Sequence, residues 1–336
     1  MPPTIIPGWV HVPGKHCATT ALSNASAFSN TPLSEPVCLG LGAGLGAYYI
    51  KIPGASPSRA LYTRALNLEE NFFRSLDVPF QWKTADPHPG CLPPGEMELI
   101  RRGFPILYRC DLKYLHYYNT KTSFPGHVVL AWGFDDDRKK VFLGDTHFEG
   151  LQEAPCGDFD RARHSTDTPP FVMRGEWHEF RRWDARPLPD AFRAAVRTQA
   201  ADLLGASSPA AGVRGIRTMA HEITSWRDEA EDWRWCLRFA YQVIEKRGTG
   251  GGAFRRLYAG FLEEAAEHCL ELSDPALARR AHEIAGKWTR LSELLKEASD
   301  ARDRPDLVPA RGLLEELSSL EETLFSRLAQ LVGTRD

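Results

Sequence analysis

A change of periodicity near residue 187 constrains the fold of this chain more than any other feature. Before it, short apolar runs alternate with frequent Gly and Pro. After Pro187 and Pro189 come long segments in which apolar residues recur every three or four positions. The first pattern is typical of strands mixed with a few helices, and the second of amphipathic helices. We therefore predict an α+β domain over residues 1–186, followed by an all-α helical bundle over residues 187–336.

The helical half carries a clear start signal at Ser273-Asp274-Pro275. Ser and Asp cap helix N-termini, and Pro is favoured in the first helical turn. Two stripes of apolar residues at helical spacing indicate buried helix faces. The first is Ile216, Met219, Ile223 and Trp226, and the second is Leu313, Leu317, Leu320, Leu324, Leu328 and Leu331. No repeat of fixed period is present, so a solenoid is not expected.

Composition and charge limit the classes of partner. The chain has 336 residues, 43% of them hydrophobic, and a formal net charge of -3. A core of useful size is therefore expected, and no overall positive field attracts nucleic acid or anionic lipid. Neither a signal peptide nor an apolar run of about 18 residues stands in the sequence, so we expect a cytoplasmic protein without a membrane segment. The seven cysteines have no paired short spacing, and each is expected to be a free thiol.

Two apolar runs flank a charged turn between His127 and Asp145, which is a hairpin signature. If the turn is centred on Asp136, residues equally distant from it face each other. His127 and Asp145 are then cross-strand neighbours, with Cβ atoms about 5 Å apart. A carboxylate so placed fixes the imidazole tautomer and leaves the second ring nitrogen for chemistry. The alternative is a surface ion pair at the end of a hairpin.

A nucleophile is available in the segment Pro13-Gly-Lys-His-Cys17-Ala-Thr-Thr, where a loop leads into a helix-like stretch. Cys17 falls in the first helical turn, where the helix dipole favours thiolate over thiol. Beside His127 it would form an ion pair, and its backbone N–H would help to hold an oxyanion. The alternative is a buried structural cysteine.

Metal and nucleotide sites are weaker alternatives. His127, Asp145 and His147 have the residue types of a two-histidine, one-carboxylate iron site, although no arginine for an oxoacid is recognisable nearby. Cys91, Cys110 and Cys156 are too scattered for zinc, so no metal and no cofactor are expected.

Gly42, Gly44 and Ala47 match a loose dinucleotide-binding fingerprint. No βαβ unit surrounds them, so close backbone packing beside the active site is the expected use of this glycine run.

The helical half holds one candidate anion site, in Gly248-Thr-Gly-Gly-Gly-Ala-Phe-Arg-Arg-Leu-Tyr258. A flexible glycine loop there precedes a helix that begins with Arg255 and Arg256, which are candidates for binding an anion or a carrier protein. The alternative is a turn between helices with exposed arginines.

The motifs taken together resemble the butirosin biosynthesis protein H family. They are Gly14-Lys-His-Cys17-Ala-Thr-Thr-Ala-Leu22, Leu33-Ser-Glu-Pro36, Gly40-Leu-Gly-Ala-Gly-Leu-Gly46, Gly103-Phe-Pro-Ile106, Asp111, Gly126-His127, Gly144-Asp145 and the glycine–arginine stretch 248–258. The resemblance implies a papain-like cysteine peptidase/acyltransferase domain followed by a helical domain of unknown function. It covers nearly the whole chain.

The resemblance also implies an activity, namely acyl transfer from a carrier-protein thioester to an amine acceptor in secondary metabolism. Cys17 would be the nucleophile, His127 the general base and acid, and Asp145 the orienting carboxylate. The expected partners are an acyl carrier protein, or its phosphopantetheine thioester, and a small amine. The sequence leaves the acyl chain, the acceptor and a homo-oligomeric state open.

The second oxyanion donor is an open point, because papain-like enzymes usually have a glutamine six residues before the nucleophile and His11 stands there. His11, Lys15 or a backbone N–H are candidates for that role. Further candidates for oxyanion or substrate binding, all in motifs of the resemblance, are His16, Glu35 and Asp111.

Two other functions remain open at this stage. One keeps the triad but releases the chain by Dieckmann-type cyclisation or by hydrolysis. The other is an inactive papain-like scaffold that only binds a carrier protein or partner enzyme.

Overall fold

The computed structural model describes residues 2–169 and 171–333. Its strands are β1 (Thr4–Ile5), β2 (Leu45–Lys51), β3 (Arg59–Arg64), β4 (Ile106–Cys110), β5 (His127–Asp135), β6 (Lys140–Gly144), β7 (Gln152–Pro155) and β8 (Trp177–Glu179). Its α-helices are α1 (Cys17–Phe28), α2 (Glu35–Leu41), α3 (Leu68–Leu76), α4 (Pro94–Arg101), α5 (Cys156–Arg163), α6 (Leu188–Leu204), α7 (Gly212–Glu222), α8 (Trp226–Glu229), α9 (Trp233–Glu245), α10 (Arg255–Ala266), α11 (Pro275–Asp300) and α12 (Val308–Gly333). Short 3-10 helices are Leu112–Tyr114, His116–Tyr118, Ile223–Ser225 and Leu270–Leu272.

The chain divides into two compact units, and neither is continuous in sequence. The first unit comprises Met1–Glu35 and Val78–Asp184, and the second comprises Pro36–Asp77 and Ala185–Asp336. The mixed α/β character and the C-terminal helical region follow the sequence pattern. The segment 36–77, which we expected in the N-terminal domain, belongs to the helical unit. Its burial there depends on partners far along the chain, which a local pattern cannot show.

The first unit is built on an antiparallel sheet with the strand order β7-β6-β5-β4-β8, and β1 pairs with β5. β5 lies in the middle, and all nine of its residues are buried, as a continuous apolar run predicts. Helix α1 packs against β5, where the Phe28 ring meets the edge of Trp132 with 5.1 Å between ring centroids. The sheet thus places α1 beside the strand that begins with His127.

The β5–β6 hairpin has a different register from the one we predicted. Asp135 pairs with Lys140, so the turn is not centred on Asp136, and a bulge between Ala131 and Gly133 shifts the pairing again. Lys139 adopts a positive φ of 53° in this turn, which the sequence does not reveal. Leu130 then pairs with Gly144, and Asp145 follows the end of β6.

The expectation that every cysteine is a free thiol is wrong for two of the seven. Cys91 and Cys156 form a disulfide with Cα atoms 4.6 Å apart, although 65 residues separate them. Cys91 lies shortly before α4, and Cys156 opens α5. The fold of the first unit brings them together, and their spacing in sequence carries no sign of it. The free cysteines are Cys17, Cys38, Cys110, Cys236 and Cys269.

The second unit consists of the β2–β3 hairpin with helices from both of its segments. β2 and β3 pair antiparallel, α7 packs on β2, and α9 packs on β3. The predicted helix start at Asp274 is confirmed, since its side chain accepts a hydrogen bond from the Ala276 N–H and Pro275 opens α11. The first predicted apolar stripe is fully buried. Of the second, Leu317, Leu324 and Leu328 are buried, whereas Leu313, Leu320 and Leu331 are half-buried.

The glycine run of residues 40–46 serves close packing, as the sequence suggests. A Cβ at Gly40 would lie 2.1 Å from the Phe261 ring, and one at Gly46 would lie 2.6 Å from the Arg64 carbonyl oxygen. All of these residues are in the second unit, whereas Cys17 is in the first. The packing is therefore part of the helical unit's own core. No helix within residues 2–169 and 171–333 combines the length and the apolar character needed to cross a membrane.

Candidate active site

The structure brings Cys17 close to His127 and Asp145, which hydrogen-bond each other. The His127 Nε2 atom lies 2.9 Å from Asp145 Oδ1 and 3.0 Å from Oδ2. His127 and Asp145 are almost fully buried, whereas Cys17 is partly exposed. The His127 ring also lies close enough to the Cys17 thiol to lower its pKa. The carboxylate engages Nε2, so Nδ1 is the ring nitrogen that is left for the thiol.

Cys17 is the first residue of α1, as the sequence predicts. His16 caps the helix in an extended conformation, and its side chain accepts from the Thr19 N–H. The preceding loop is fixed to the other side of the site, because the Gly14 N–H donates to the Thr146 carbonyl at 2.8 Å. The helix dipole at this position favours a negatively charged sulfur.

Charges around the sulfur determine its protonation. Burial alone would raise the pKa of Cys17, but the neighbouring His16 and His127 lower that pKa well below its usual value. Burial likewise opposes charge on His127, but Asp145 and Cys17 raise its pKa to about 10. Burial alone would raise the pKa of Asp145, but His127 and the other groups that donate to the carboxylate lower that pKa. These shifts all favour a thiolate–imidazolium pair with an ionised carboxylate behind it.

Three donors to Asp145 were not predicted from the sequence. The Tyr117 hydroxyl donates to Oδ2 at 2.7 Å, and the Tyr118 hydroxyl donates to Oδ1 at 3.0 Å. Thr146 donates its hydroxyl to Oδ1 at 2.8 Å. With His127, four groups hold the carboxylate in place. A tyrosine pair in a loop carries no chemical motif, so only the three-dimensional arrangement reveals it.

The Asp111 carboxylate binds donors of the protein itself, whereas we expected it to face an oxyanion or substrate. It is fully buried, and its carboxylate accepts from the backbone N–H groups of Lys113 and Phe124 and from the hydroxyls of Ser123 and Ser165. These contacts close the loop between β4 and β5, which carries Tyr117 and Tyr118. The buried carboxylate thus satisfies backbone donors of that loop, a role that a lone Asp in the sequence cannot indicate.

His11 also differs from its predicted role as an oxyanion donor. Its Nε2 atom lies 2.9 Å from the Phe148 carbonyl oxygen, and its Nδ1 atom lies 3.1 Å from the Asn24 Nδ2 atom. A carbonyl needs a donor and the Asn24 amide is one, so Nε2 carries the proton and Nδ1 accepts. Both nitrogens are engaged in this structure, and the ring holds the chain ahead of α1 instead of an oxyanion.

Glu35 organises the loop before Cys17. Its carboxylate accepts from the Lys15 N–H at 3.0 Å and from the His16 N–H at 2.7 Å. It also accepts from the hydroxyls of Thr19 at 2.9 Å and Thr20 at 3.3 Å. Lys15 itself is exposed and contributes its backbone to this arrangement. The predicted substrate-binding role of Glu35 is thus replaced by a positioning role, because the start of α1 supplies the donors that its carboxylate needs.

The glycine–arginine stretch of the second unit satisfies internal carboxylates. Arg255 is buried and pairs with Glu321 through Nε to Oε1 and Nη2 to Oε2, both at 2.9 Å. The predicted role of Arg255 in binding an external anion or carrier protein is therefore wrong. The glycine loop donates the Gly252 N–H to Glu245 at 2.9 Å, while the exposed Arg256 donates to Thr289.

The iron-site alternative receives no support from the geometry. His147 is exposed, and its ring stacks on Phe148 with centroids 4.4 Å apart. Within the described residues, no three His, Cys, Asp or Glu side chains are grouped so that they could hold a metal ion. His127 and Asp145 hydrogen-bond each other directly, as a base and its orienting group do.

Two family models match this chain. Residues 16–146 match the model described as butirosin biosynthesis protein H, N-terminal, and residues 157–328 match a domain of unknown function, DUF4872. The first match ends one residue after Asp145 and so contains Cys17, His127 and Asp145. No curated protein sequence gives a significant match.

Proposed function

Because the chain belongs to the family in which a butirosin biosynthesis protein H N-terminal domain is followed by DUF4872, we propose that it is a Cys17-dependent acyltransferase of secondary-metabolite biosynthesis. Its donor is an acyl thioester on the phosphopantetheine arm of a carrier protein, and its acceptor is a small-molecule amine. The proximity of Cys17, at the start of α1, to the hydrogen-bonded pair of His127 and Asp145 is the observation that carries this proposal.

A papain-like fold for the first unit is part of the proposal. The supporting arrangement is a helix that begins with a partly exposed cysteine and packs on the antiparallel strand that begins with His127. Asp145 follows the neighbouring strand of the same sheet. Nucleophile and base thus come from separate elements of one rigid unit, which holds reacting groups in place.

The first half-reaction forms the acyl-enzyme. The Cys17 thiolate attacks the thioester carbonyl, and the carbonyl oxygen becomes an oxyanion that the Cys17 backbone N–H at the start of α1 helps to stabilise. Collapse of this intermediate breaks the bond to the pantetheine sulfur. The departing thiolate takes the proton from His127 Nδ1 and leaves as a thiol. His127 is then neutral, with Nδ1 as a base.

The second half-reaction forms the amide. The acceptor amine attacks the acyl-Cys17 carbonyl and loses a proton to His127 Nδ1. Collapse expels the Cys17 thiolate and restores the ion pair with protonated His127. Asp145 keeps its charge throughout and stabilises the imidazolium. The products are an amide and a free pantetheine thiol, so the acyl group moves without an added cofactor.

Intact-protein mass spectrometry of the full chain tests this proposal. An acyl carrier protein loaded with a simple acyl group should leave one acyl adduct on the enzyme when no amine is present, because the intermediate then waits. Peptide mapping should place the adduct at Cys17. Cys17→Ala should form no adduct while it keeps the wild-type melting temperature.

The control is Cys110→Ala, which removes a fully buried thiol of the same unit and should still be acylated. Adduct formation by Cys17→Ala would contradict the mechanism.

Addition of candidate amines to the acylated wild-type enzyme should discharge the adduct to an amide. Discharge to the free acid or to a cyclised acyl chain would instead assign hydrolysis or Dieckmann-type release. A Cys17 that is not acylated, and that alkylating reagents modify no faster than the other thiols, would indicate a binding scaffold.

A further inference from the structure

Thr146, the residue after Asp145, has a backbone conformation that its side chain disfavours. Its φ is 34°, which lies in the left-handed region. Among residues 2–169 and 171–333 it is the only β-branched residue with a positive φ, and for such a side chain a positive φ is a genuine outlier. A conformation of this kind persists only where the surrounding structure imposes it, and it often marks a functional site.

A tight turn accounts for the positive φ but not for the threonine. The Phe148 N–H donates to the Asp145 carbonyl at 3.1 Å and closes a four-residue turn, in which Thr146 is the first central residue. Turns with a positive φ at this position favour Gly, Asn or Asp, which adopt it at little cost. Threonine is a poor choice for the turn alone, so its side chain needs another explanation.

The Thr146 hydroxyl supplies that explanation, because it donates to Asp145 Oδ1 at 2.8 Å. Thr146 is buried, and its acceptor is the carboxylate that also meets His127 Nε2. A hydrogen bond to a charged carboxylate is stronger than one between neutral groups. Glycine has no hydroxyl, so it would satisfy the turn but not the carboxylate.

The Thr146 carbonyl makes a second contact, with the chain that leads to the nucleophile. It accepts from the Gly14 N–H at 2.8 Å, three residues before Cys17. In the same turn, the Phe148 carbonyl oxygen lies 2.9 Å from His11 Nε2. The turn therefore holds both the orienting carboxylate and the loop ahead of the nucleophile, and a fixed spacing of this kind is what reacting groups need.

We propose that Thr146 is a positioning residue for acyl transfer, whose hydroxyl aligns Asp145 and whose left-handed backbone presents the carbonyl that holds the Cys17 loop. The inference rests on the proposed function, since the rate that Thr146 affects is that of the same acyl transfer. Thr146 acts through Asp145 and Gly14. The threonine is kept in a strained conformation because only a side chain with a donor serves the turn and the carboxylate together.

The surroundings of the Asp145 carboxylate determine how large the effect should be. The titratable groups that face it come from β5, from the loop after β4 and from β4 itself, and they are His127, Tyr117, Tyr118 and Cys110. The two tyrosine hydroxyls still donate when the Thr146 hydroxyl is removed, so the carboxylate is loosened but not released. A less well held carboxylate supports the imidazolium less, and the Cys17 thiolate then loses part of its cationic partner.

Thr146→Val and Thr146→Ser test the hydroxyl. Valine keeps the β-branched shape and the strain but removes the donor, whereas serine keeps the donor. Thr146→Val should lower the kcat of acyl transfer about 10-fold with KM unchanged, and should raise the midpoint pH of Cys17 alkylation by iodoacetamide by about half a unit. Thr146→Ser should restore kcat to within about twofold of wild type. A folded Thr146→Val protein with wild-type kcat and midpoint overturns the proposal, as does a Thr146→Ser protein as impaired as Thr146→Val.

Thr146→Gly and Lys139→Gly form a matched pair that separates the hydroxyl from the backbone strain. Both residues have a positive φ in the first unit, but Lys139 is exposed and its side chain pairs with Asp136 at the surface. Glycine adopts this conformation freely at either position. Lys139→Gly should raise the melting temperature and keep the wild-type kcat, whereas Thr146→Gly should lower kcat about 10-fold, as Thr146→Val does. Full kcat in Thr146→Gly, or an equal loss in Lys139→Gly, overturns the proposal.

The alkylation readout separates this inference from the proposed function, since alkylation requires no acyl donor. A Cys17 that reacts no faster than the other four free thiols contradicts the acyltransferase proposal. A fast Cys17 whose alkylation midpoint and kcat are both unchanged in Thr146→Val contradicts the Thr146 proposal alone.

Discussion

His127 Nε2 and the Asp145 carboxylate meet almost symmetrically, at 2.9 Å and 3.0 Å from the two oxygens, although the residues are not cross-strand partners. Leu130 pairs with Gly144. If this antiparallel pairing continued by one residue, Asp145 would lie opposite Val129. His127 is therefore the diagonal neighbour, within reach of a side chain across the hairpin. The diagonal contact engages Nε2 with the carboxylate and leaves Nδ1 available to Cys17.

Asp145→Asn should lower the rate of acyl transfer by about 10⁴-fold, as in comparable triads. An amide can stabilise the wrong imidazole tautomer and cannot balance the charge of an imidazolium. The measurement is kcat with a loaded carrier protein, accompanied by the melting temperature. His147→Ala is the control, because His147 is exposed and stacks on Phe148. A loss as severe in His147→Ala, with sensitivity to chelators, would indicate a metal site.

Tyr117→Phe and Tyr118→Phe should each lower kcat about 10-fold, because each removes one hydrogen bond to a charged carboxylate, worth about 1.5–3 kcal/mol. The hydroxyls at 2.7 Å and 3.0 Å orient Asp145 without contact to the reacting sulfur. The alkaline limb of the pH–rate profile should also move to lower pH, since a less well held carboxylate supports the imidazolium less. Tyr114 lies in the same loop as this tyrosine pair, but its hydroxyl contacts Asp167, so Tyr114→Phe should leave both kcat and the profile unchanged.

The pH–rate profile of acyl transfer should be bell-shaped. The pKa of Cys17 is lowered, so activity is lost on the acid side only well below the usual titration range of a thiol. The pKa of His127 is raised to about 10, so activity falls on the alkaline side near that pH, when the proton for the leaving thiolate is gone. His127→Asn should move Cys17 alkylation to higher pH, because the thiolate loses a cationic partner. A profile that rises continuously to pH 11 would contradict the ion pair.

The sequence was informative where chemistry is local. A cysteine at a helix start, a histidine and an aspartate flanking a charged turn, and a capped helix start at Asp274 are patterns within short segments. The structure places Cys17 and Asp274 at helix starts and brings His127 to Asp145. The proximity of His127 and Asp145 survived an error in register because a long side chain reaches a diagonal neighbour as well as a direct one.

The sequence was uninformative where burial depends on distant partners. Arg255 next to a glycine loop suggests an anion site, but its anion is Glu321, 66 residues away in the same buried cluster. Asp111 and Glu35 likewise look like substrate ligands in one dimension, while their carboxylates bind backbone donors of nearby loops. A charged residue in a motif therefore does not reveal whether its partner is a ligand or the protein itself.

Arg255→Met should lower the free energy of unfolding by about 3–5 kcal/mol, because it leaves the Glu321 carboxylate buried without its charged partner. Glu321 also accepts from Trp288 Nε1 at 2.6 Å, which cannot neutralise its charge. Arg255 additionally donates to the Gly46 carbonyl at 3.0 Å, so the β2 segment should lose protection from hydrogen exchange in the same variant.

Urea unfolding followed by the fluorescence of Trp226 and Trp288, both buried in the second unit, measures this effect. Arg256→Gln is the matched control, since the neighbouring arginine is exposed and donates to Thr289, and we expect a change within about 0.5 kcal/mol. Alkylation of Cys17 in Arg255→Met, measured without urea, should proceed at the wild-type rate, because every group that controls the thiolate belongs to the first unit. A stable Arg255→Met protein that no longer accepts acyl groups from the carrier protein would reverse the assignment and return Arg255 to carrier recognition.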